Sequence, residues 1–469
     1  MLKGYTLNLQ NIVLVLEDIF MNEYFHSVNL DKNKCRGCTN CIKRCPTEAI
    51  RVRKGKARII KERCIDCGEC IRVCPYHAKT AISDSLDIIS DYRYKVAIPA
   101  PSFYGQFEKK YSRDNILNAL IDIGFDHVFE VARAAEIVSE ATRQLLTNSL
   151  VKKPMISSAC PGVVRLIQVR FPSLIENIVK LESPMEVAAK IVKTQLQEGR
   201  NIPAEEIGVF FISPCPAKVT SVKSPYEKQK SYVDGVISIT DIYLKVLAAL
   251  NNPYNASKYS EAGFEGIDWA NSGGESGALG TENVLAVDGI HNVIKIFDEI
   301  EGDRLSDVDF VEALSCSGGC LGGPLTVENV FVAKTTLKRH IHGAPAGRTV
   351  KMAPKSFEEL VWTSNVEYKP VMKLDQDILK AMEKLEKLER IYDGLPGLDC
   401  GACGAPNCRA LAEDIVREIA NETDCIFKLR QRIRDLAEEM VDLGGKVPPV
   451  MDNDSGGEET AGLEKNHVH

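Results

Sequence analysis

The sequence predicts a multidomain α/β protein with a small cysteine-rich region at each end. Three observations predict this. At 469 residues the chain is too long for one ordinary core. Its 16 cysteines crowd toward the two ends, leaving only four in the middle. That middle alternates short apolar runs, such as 96–98 and 209–212, with helical stretches such as 114–123 and 185–196.

Composition narrows the partners. The net charge of −7 argues against nucleic acid, which selects a basic surface. No membrane span is expected, because the apolar run at 12–16 is broken by Glu17 and Asp18. No secretory leader pattern is present, so a cytoplasmic location is expected. Residues 1–25 read as an N-terminal extension, with Met21 an alternative start. A reducing compartment disfavours disulfides and leaves metal ligation as the use for so many thiols.

The first region, 26–85, holds Cys35-x2-Cys38-x2-Cys41-x3-Cys45-Pro46 and then Cys64-x2-Cys67-x2-Cys70-x3-Cys74-Pro75. This duplicated spacing resembles a bacterial ferredoxin with two 4Fe–4S clusters. In that arrangement the fourth cysteine of each run serves the other cluster. One cluster would take Cys35, Cys38, Cys41 and Cys74, and the other Cys64, Cys67, Cys70 and Cys45. A pair of zinc sites is the competing reading. Residues 52–60 read as a hairpin between the runs. His26 and His77 flank the module and are expected to be solvated.

At the other end, 371–394 reads as a charged linker helix, periodic over 375–392. Residues 395–443 carry Cys400-x2-Cys403-x4-Cys408-x16-Cys425, with Leu411, Ile415 and Ile419 expected on one helical face. The pattern resembles small 4Fe–4S domains, with zinc as the alternative. A second amphipathic helix is expected over 427–443. Residues 444–469 read as a disordered tail.

Four cysteines remain in the region 90–370, in the contexts Ser-Ala-Cys160-Pro-Gly, Ser-Pro-Cys215-Pro-Ala-Lys218 and Cys316-Ser-Gly-Gly-Cys320. Thiols this far apart can still converge at the loop ends of an α/β fold. Here the sequence resembles the iron–iron hydrogenases, which carry three such motifs in this order. The resemblance extends to Ala100-Pro-Ser102, Asn271-Ser-Gly-Gly274 and Val287-Asp-Gly289.

That resemblance implies a two-lobed α/β hydrogenase domain with an H-cluster. Cys160, Cys215, Cys316 and Cys320 would hold a 4Fe–4S cube. Cys320 would bridge to a diiron subsite carrying CO, cyanide and an azadithiolate. Lys218 would donate a hydrogen bond to a cyanide, and Pro101 and Ser102 would lie near the other. Cys316 and Cys320, four apart, are expected to face one way on a helical turn. Three further 4Fe–4S clusters would complete the wiring. The implied partners are H2, protons, a ferredoxin or another redox or signalling protein, and diiron-site maturation proteins. No dinucleotide or phosphate-loop fingerprint is present, since Gly273-Gly-Glu-Ser-Gly277 fits neither, so direct use of NAD is unsupported.

The chain departs from the family pattern where protons would move. Ala159 stands where fast enzymes carry a relay cysteine, and a methyl cannot exchange a proton. Ser221 and Val179 replace an expected glutamate and serine, and Ser213 and Leu314 replace two methionines. Glu140 is one residue out of register for a relay and reads as a helix-surface residue. The pattern resembles the sensory branch of the family: an H2-binding protein with slow, reversible turnover. Two other readings stand beside it, a metabolic hydrogenase with a different proton route and an iron–sulfur protein lacking the diiron subsite. The helices at 375–392 and 427–443 could meet a signalling partner or be structural.

Overall fold

In a computed structural model, residues 25–148, 151–251, 257–344 and 357–446 are described. The expectations for the first 24 residues, Met21 and nearly all of the tail lie outside them. Among the described residues no helix is long and apolar enough to cross a membrane.

The N-terminal region is a pseudo-symmetric pair of loops. β1 (Val28–Leu30) pairs antiparallel with β4 (Lys79–Ala81), and β2 (Ile50–Arg53) with β3 (Lys56–Ile59). The sequence duplication is repeated in the backbone. Gly37 and Asp66, each two residues past the first cysteine of a run, both take positive φ (67° and 52°). Glu48 and His77, three past the last cysteine, do the same (51° and 47°). The hairpin therefore lies between the runs, displaced slightly from the expected 52–60.

The central region is built on two parallel sheets. One has the order β6 (His127–Val128), β5 (Tyr94–Pro99), β8 (Ile207–Ser213), β9 (Gly235–Ser238). The other has the order β10 (Val284–Asp288), β11 (Phe310–Leu314), β7 (Met155–Ile156). Strands β5 and β8 are apolar and buried over most of their length, as a sheet covered on both faces requires. Val96, Ile98, Val209 and Phe211 pack into one core with the helices Val131–Leu146 and Pro184–Arg200. Ala97, Phe210 and Ile212 pack into another with Arg113–Asp122, Ile239–Asn251 and Val330–His342. The smaller sheet buries Ile156, Val311 and Ala313 against Pro161–Arg170 and Ile290–Glu301.

Each cysteine motif, and Ala100–Ser102, follows the carboxyl end of a strand. Ala100–Ser102 follows β5, Ser157–Cys160 follows β7, Pro214–Cys215 follows β8 and Ser315–Cys320 follows β11. Parallel sheets gather their ligand sites at that end.

The C-terminal region begins with the helix Ile378–Asp393, which packs on Cys408–Val416 through Leu388. Residues 371–377 are not helical. The helix Cys408–Val416 is shorter than its periodicity suggests. Glu418 turns left-handed (φ 61°), so Ile419 leaves the face of Leu411 and is exposed. The last helix, Ile426–Gly444, has no buried residue.

Candidate metal centres

The two cysteine runs place their thiols as two groups. Cys35, Cys38, Cys41 and Cys74 line one cavity with Lys79. Burial first pushes the Cys41 thiol up to about 11, with Cys38, Cys35 and Cys74 adding to the rise. Burial also pushes Cys70 up to about 12, and Cys45 is among its charged neighbours. Cys64 and Cys67 are likewise raised by burial, with Cys45 and Cys70 beside both. The fourth thiol of each run thus sits with the other run.

The donor set fits iron–sulfur clusters. Buried thiols this close cannot all ionise without a cation among them. Backbone N–H groups of Ala57, Ala49 and Ala78 already point at Cys35, Cys45 and Cys74 sulfurs, at 3.4, 3.2 and 3.3 Å. The Lys79 ammonium is buried with no hydrogen-bond partner and favours ionisation of both Cys41 and Cys70. An orphaned ammonium suits a space between two anionic groups.

His26 corrects an expectation: its ring is buried, with Nδ1 2.7 Å from Asp66 Oδ1. Asp66 also accepts from the Val28 N–H at 3.0 Å and the Thr220 hydroxyl at 2.9 Å. Together they join this region to the central one. His77 is exposed, as expected.

In the central region Cys160, Cys215, Cys316 and Cys320 line one cavity of about 410 Å³, and Cys67 lines it too. The second N-terminal group therefore abuts the central one. Burial pushes Cys320 up to about 12 and raises Cys215 and Cys316, while Lys218 opposes the rise at Cys320 and Cys215. Arg72 opposes it at Cys316 and donates to the Gly322 carbonyl at 2.6 Å.

The Cys316–Cys320 segment is not the helical turn expected from its spacing. Gly318 and Gly319 are both left-handed (φ 80° and 77°), and only Gly319–Gly322 forms a short 3₁₀ turn. A Cβ at Gly319 would stand 2.6 Å from the Ala270 carbonyl oxygen. Glycine is required for the backbone to pass there.

A second cavity, about 580 Å³, shares Ala159, Lys218, Leu314 and Cys320 with the first. Ala100, Pro101, Val131, Met185 and Phe211 make much of its wall apolar. Lys218 donates to the Ala159 carbonyl at 3.0 Å, leaving the ammonium further donors. Beside Pro101, the Ser102 hydroxyl is buried without a partner. A cation and a thiol at the wall of a largely apolar pocket suit a small anionic group bonded through Cys320.

The altered positions do not put a carboxylate here. Ser221 donates back to the Lys218 carbonyl at 3.0 Å. Val179 is buried among apolar side chains. Glu140 pairs with Arg143 at 3.0 Å and is half exposed. Ser213 is engaged with Cys215, donating to its carbonyl at 3.0 Å and accepting from its N–H at 3.2 Å.

Two glutamates do line the cavity, Glu275 and Glu312. Glu312 sits in β11 and accepts from the N–H groups of Gly273 and Ser276 at 2.9 and 2.8 Å. Glu275 accepts from the Ser157 hydroxyl at 2.6 Å, and Ser157 in turn accepts from the Ala159 N–H at 3.2 Å. Burial, then the Glu312 charge, pushes Glu275 up to about 8. Burial thus favours the protonated form of Glu275. Sequence reading missed both. The available signal was a lone carboxylate inside an otherwise apolar strand, Phe310–Leu314.

The C-terminal thiols also converge. Cys403, Cys408 and Cys425 share one small core, and Cys400 is exposed at its edge. Cys400 and Cys425 raise Cys403 further after burial. This region docks on the N-terminal hairpin. Asp414 accepts from Arg51 at 2.7 Å and Arg53 at 2.8 Å, and Arg63 pairs with Glu413. The Gly404 carbonyl accepts from the Val52 N–H at 2.8 Å.

Comparison with known proteins agrees with this layout. Residues 93–256 and 258–324 match the family model "Iron only hydrogenase large subunit, C-terminal domain". Residues 27–75 match a 4Fe-4S dicluster domain and 395–427 an Fe-S cluster model. The expected order of an N-terminal dicluster domain, a central α/β domain and a C-terminal iron–sulfur domain is therefore the order found. The periplasmic [Fe] hydrogenase large subunit of Nitratidesulfovibrio vulgaris is 29% identical over 212 residues, 41% of this chain and 50% of that protein. The cytosolic Fe-S cluster assembly factor nar1 of Aspergillus niger is 36% identical over 69 residues, 15% of this chain and 12% of that one. An apo [FeFe]-hydrogenase HydA1 variant from Chlamydomonas reinhardtii covers 60% of this chain and 95% of its own at TM-score 0.47 and 15% identity. The chain spans half or less of the length of the curated hydrogenases it matches.

Proposed function

We propose, on the premise that residues 93–256 and 258–324 belong to the iron-only hydrogenase large-subunit family, that this chain binds H2 and converts it slowly and reversibly to two protons and two electrons, in a sensing role. One observation carries the reading. Four thiols from three distant motifs line one cavity, beside a second holding Lys218 and Ala159.

Cys160, Cys215, Cys316 and Cys320 would hold the H-cluster cube, with Cys320 shared with the diiron subsite. When bound, that subsite supplies the cleavage of H2; the protein supplies a pocket, wiring and proton handling. Lys218 would hold an anionic ligand by a charge-assisted hydrogen bond. Electrons would pass through Cys67 toward the N-terminal clusters, and the C-terminal cluster docked on the hairpin extends that wire. A ferredoxin or a signalling protein would receive them. Sixteen thiols suit a reducing compartment such as the cytoplasm.

Slow turnover is inferred from Ala159. Losing a positioned acid or base costs about 10²–10⁴ in rate. Glu275 favours a second reading, a metabolic hydrogenase whose protons move through the Glu275–Glu312 pair. A third reading, an iron–sulfur protein without the diiron subsite, is consistent with the short assembly-factor match.

Infrared spectroscopy of matured protein during an H2 titration tests all three. Bands of CO and cyanide that respond to H2 are expected; their absence would sink both hydrogenase readings. Turnover as fast as that of relatives with the relay cysteine would replace the sensing role with the metabolic one.

A further inference from the structure

The helix Ile426–Gly444 is 19 residues long, no residue of it is buried, and it begins directly after the cluster ligand position Cys425. Apart from Phe427 and Val441, its large apolar residues form one stripe. Ile426, Leu429, Ile433, Leu436, Met440 and Leu443 recur at alternating spacings of three and four, and each is at least 37% exposed. That is the a/d seam of a coiled coil. A monomer in water gains nothing by displaying such a stripe.

The charges have an equally definite pattern. Lys428, Arg430, Arg432 and Arg434 fill the first half of the helix; Asp435, Glu438, Glu439 and Asp442 fill the second. This is the reverse of what the helix dipole favours, which is acid at the N-terminus and base at the C-terminus. The first turn holds no acid and the last no base. No ion pair is made by these charges among the described residues. Neither the stripe nor the charge order is explained by the helix alone.

We infer that this helix pairs antiparallel with the same helix of a second copy of the chain. Around a two-fold axis, Ile433 would pack on Leu436 of the second copy, Leu429 on its Met440 and Ile426 on its Leu443. Each basic half would then lie along an acidic half, and Arg432 would face Glu439 twice by symmetry. A parallel pair would set base against base and acid against acid. Isoleucine at a with leucine at d is compatible with parallel dimers too, so the charges decide the orientation. Sterics agree. The body of each copy lies at the N-terminal end of its own helix, and antiparallel pairing holds the two bodies apart by about 28 Å, at about 1.5 Å per residue.

Sedimentation velocity of the full cluster-loaded chain under anaerobic conditions tests this. The expected result is a dimer that weakens as salt rises, because screening shortens from about 10 Å at 0.1 M to about 3 Å at 1 M. Leu436→Asp should give a monomer with unchanged iron content and helicity. Reversing only the acidic half (Glu438→Arg with Glu439→Arg) should abolish self-association. Mixing that variant with one reversed in the basic half (Arg430→Glu with Arg432→Glu) should restore a dimer. A wild-type monomer at all concentrations overturns the inference, even if another protein binds the helix. A dimer that survives the single-half reversal overturns the antiparallel arrangement, and one that survives Leu436→Asp overturns the seam.

Discussion

The N-terminal cradle and the central cavity solve the same problem, gathering thiols, in opposite ways. In the cradle, a thiol group draws three members from one tight run and one from its repeat, and positive φ at Gly37 and Asp66 repeats with the sequence. In the central cavity the thiols come from the ends of β7, β8 and β11, in two different sheets. The neighbours differ too. The cradle surrounds sulfur with backbone N–H groups and the unpartnered Lys79. The cavity adjoins a second one, sharing Lys218 and Cys320, that adds paired carboxyls, Glu275 and Glu312. A local site can be built for electron transfer alone; a convergent one can bring proton-holding groups from elsewhere in the fold.

That contrast can be broken most sharply by removing a thiol of the central cavity. Cys320→Ser should abolish H2 turnover and the infrared bands while leaving the cradle clusters visible by electron paramagnetic resonance. If the cradle signals vanish as well, the two groups are not independent sites. Next, on the reading in which protons move through Glu275, Glu275→Gln should cut turnover by about 10²–10³ with the infrared bands still present. Unchanged turnover would remove the carboxyl pair from proton handling. In the other direction, Ala159→Cys should raise turnover if the missing thiol limits it.

A third comparison concerns the joint between the cradle and the C-terminal domain. Asp414→Ala strands the buried Arg51 guanidinium and should cost about 3–5 kcal/mol of docking or folding stability, read by thermal unfolding or limited proteolysis. The smallest expected effect is on pH. Glu275 is raised in the folded state, so folded protein binds a proton that unfolded protein has already lost. Stability should therefore fall as pH rises from the ordinary carboxylate range to about 8, and Glu275→Gln should flatten that slope.

Legibility in the sequence followed the same division. The hairpin, the strands at 94–99 and 207–213 and the long helices follow from local period and turn chemistry. So does most of the grouping of cradle thiols, because three of the four in each group lie within a few residues of one another and the fourth comes from the repeat. Spacing misled where the backbone left regular structure. Cys316 and Cys320 meet through a left-handed Gly-Gly turn, and Ile419 falls past the end of its helix. Burial of His26 was invisible because its partner Asp66 lies 40 residues on and is held by Thr220 from another region.

By itself the sequence determined which atoms could bind metal and that position 159 carries no thiol. The identity of Ala159 and the cysteine spacings are covalent facts, and a methyl cannot carry a proton in any fold. Only the tertiary structure decided what surrounds it. Ser157 and Glu275 are 118 residues apart in the chain, and Glu275 and Glu312 a further 37. Their shared burial, which raises Glu275 and joins it to Ser157 beside Ala159, exists only once β7, β11 and the short helix Gly274–Ala278 have been brought together. Desolvation and proximity are properties of a packed interior, and no local pattern records them.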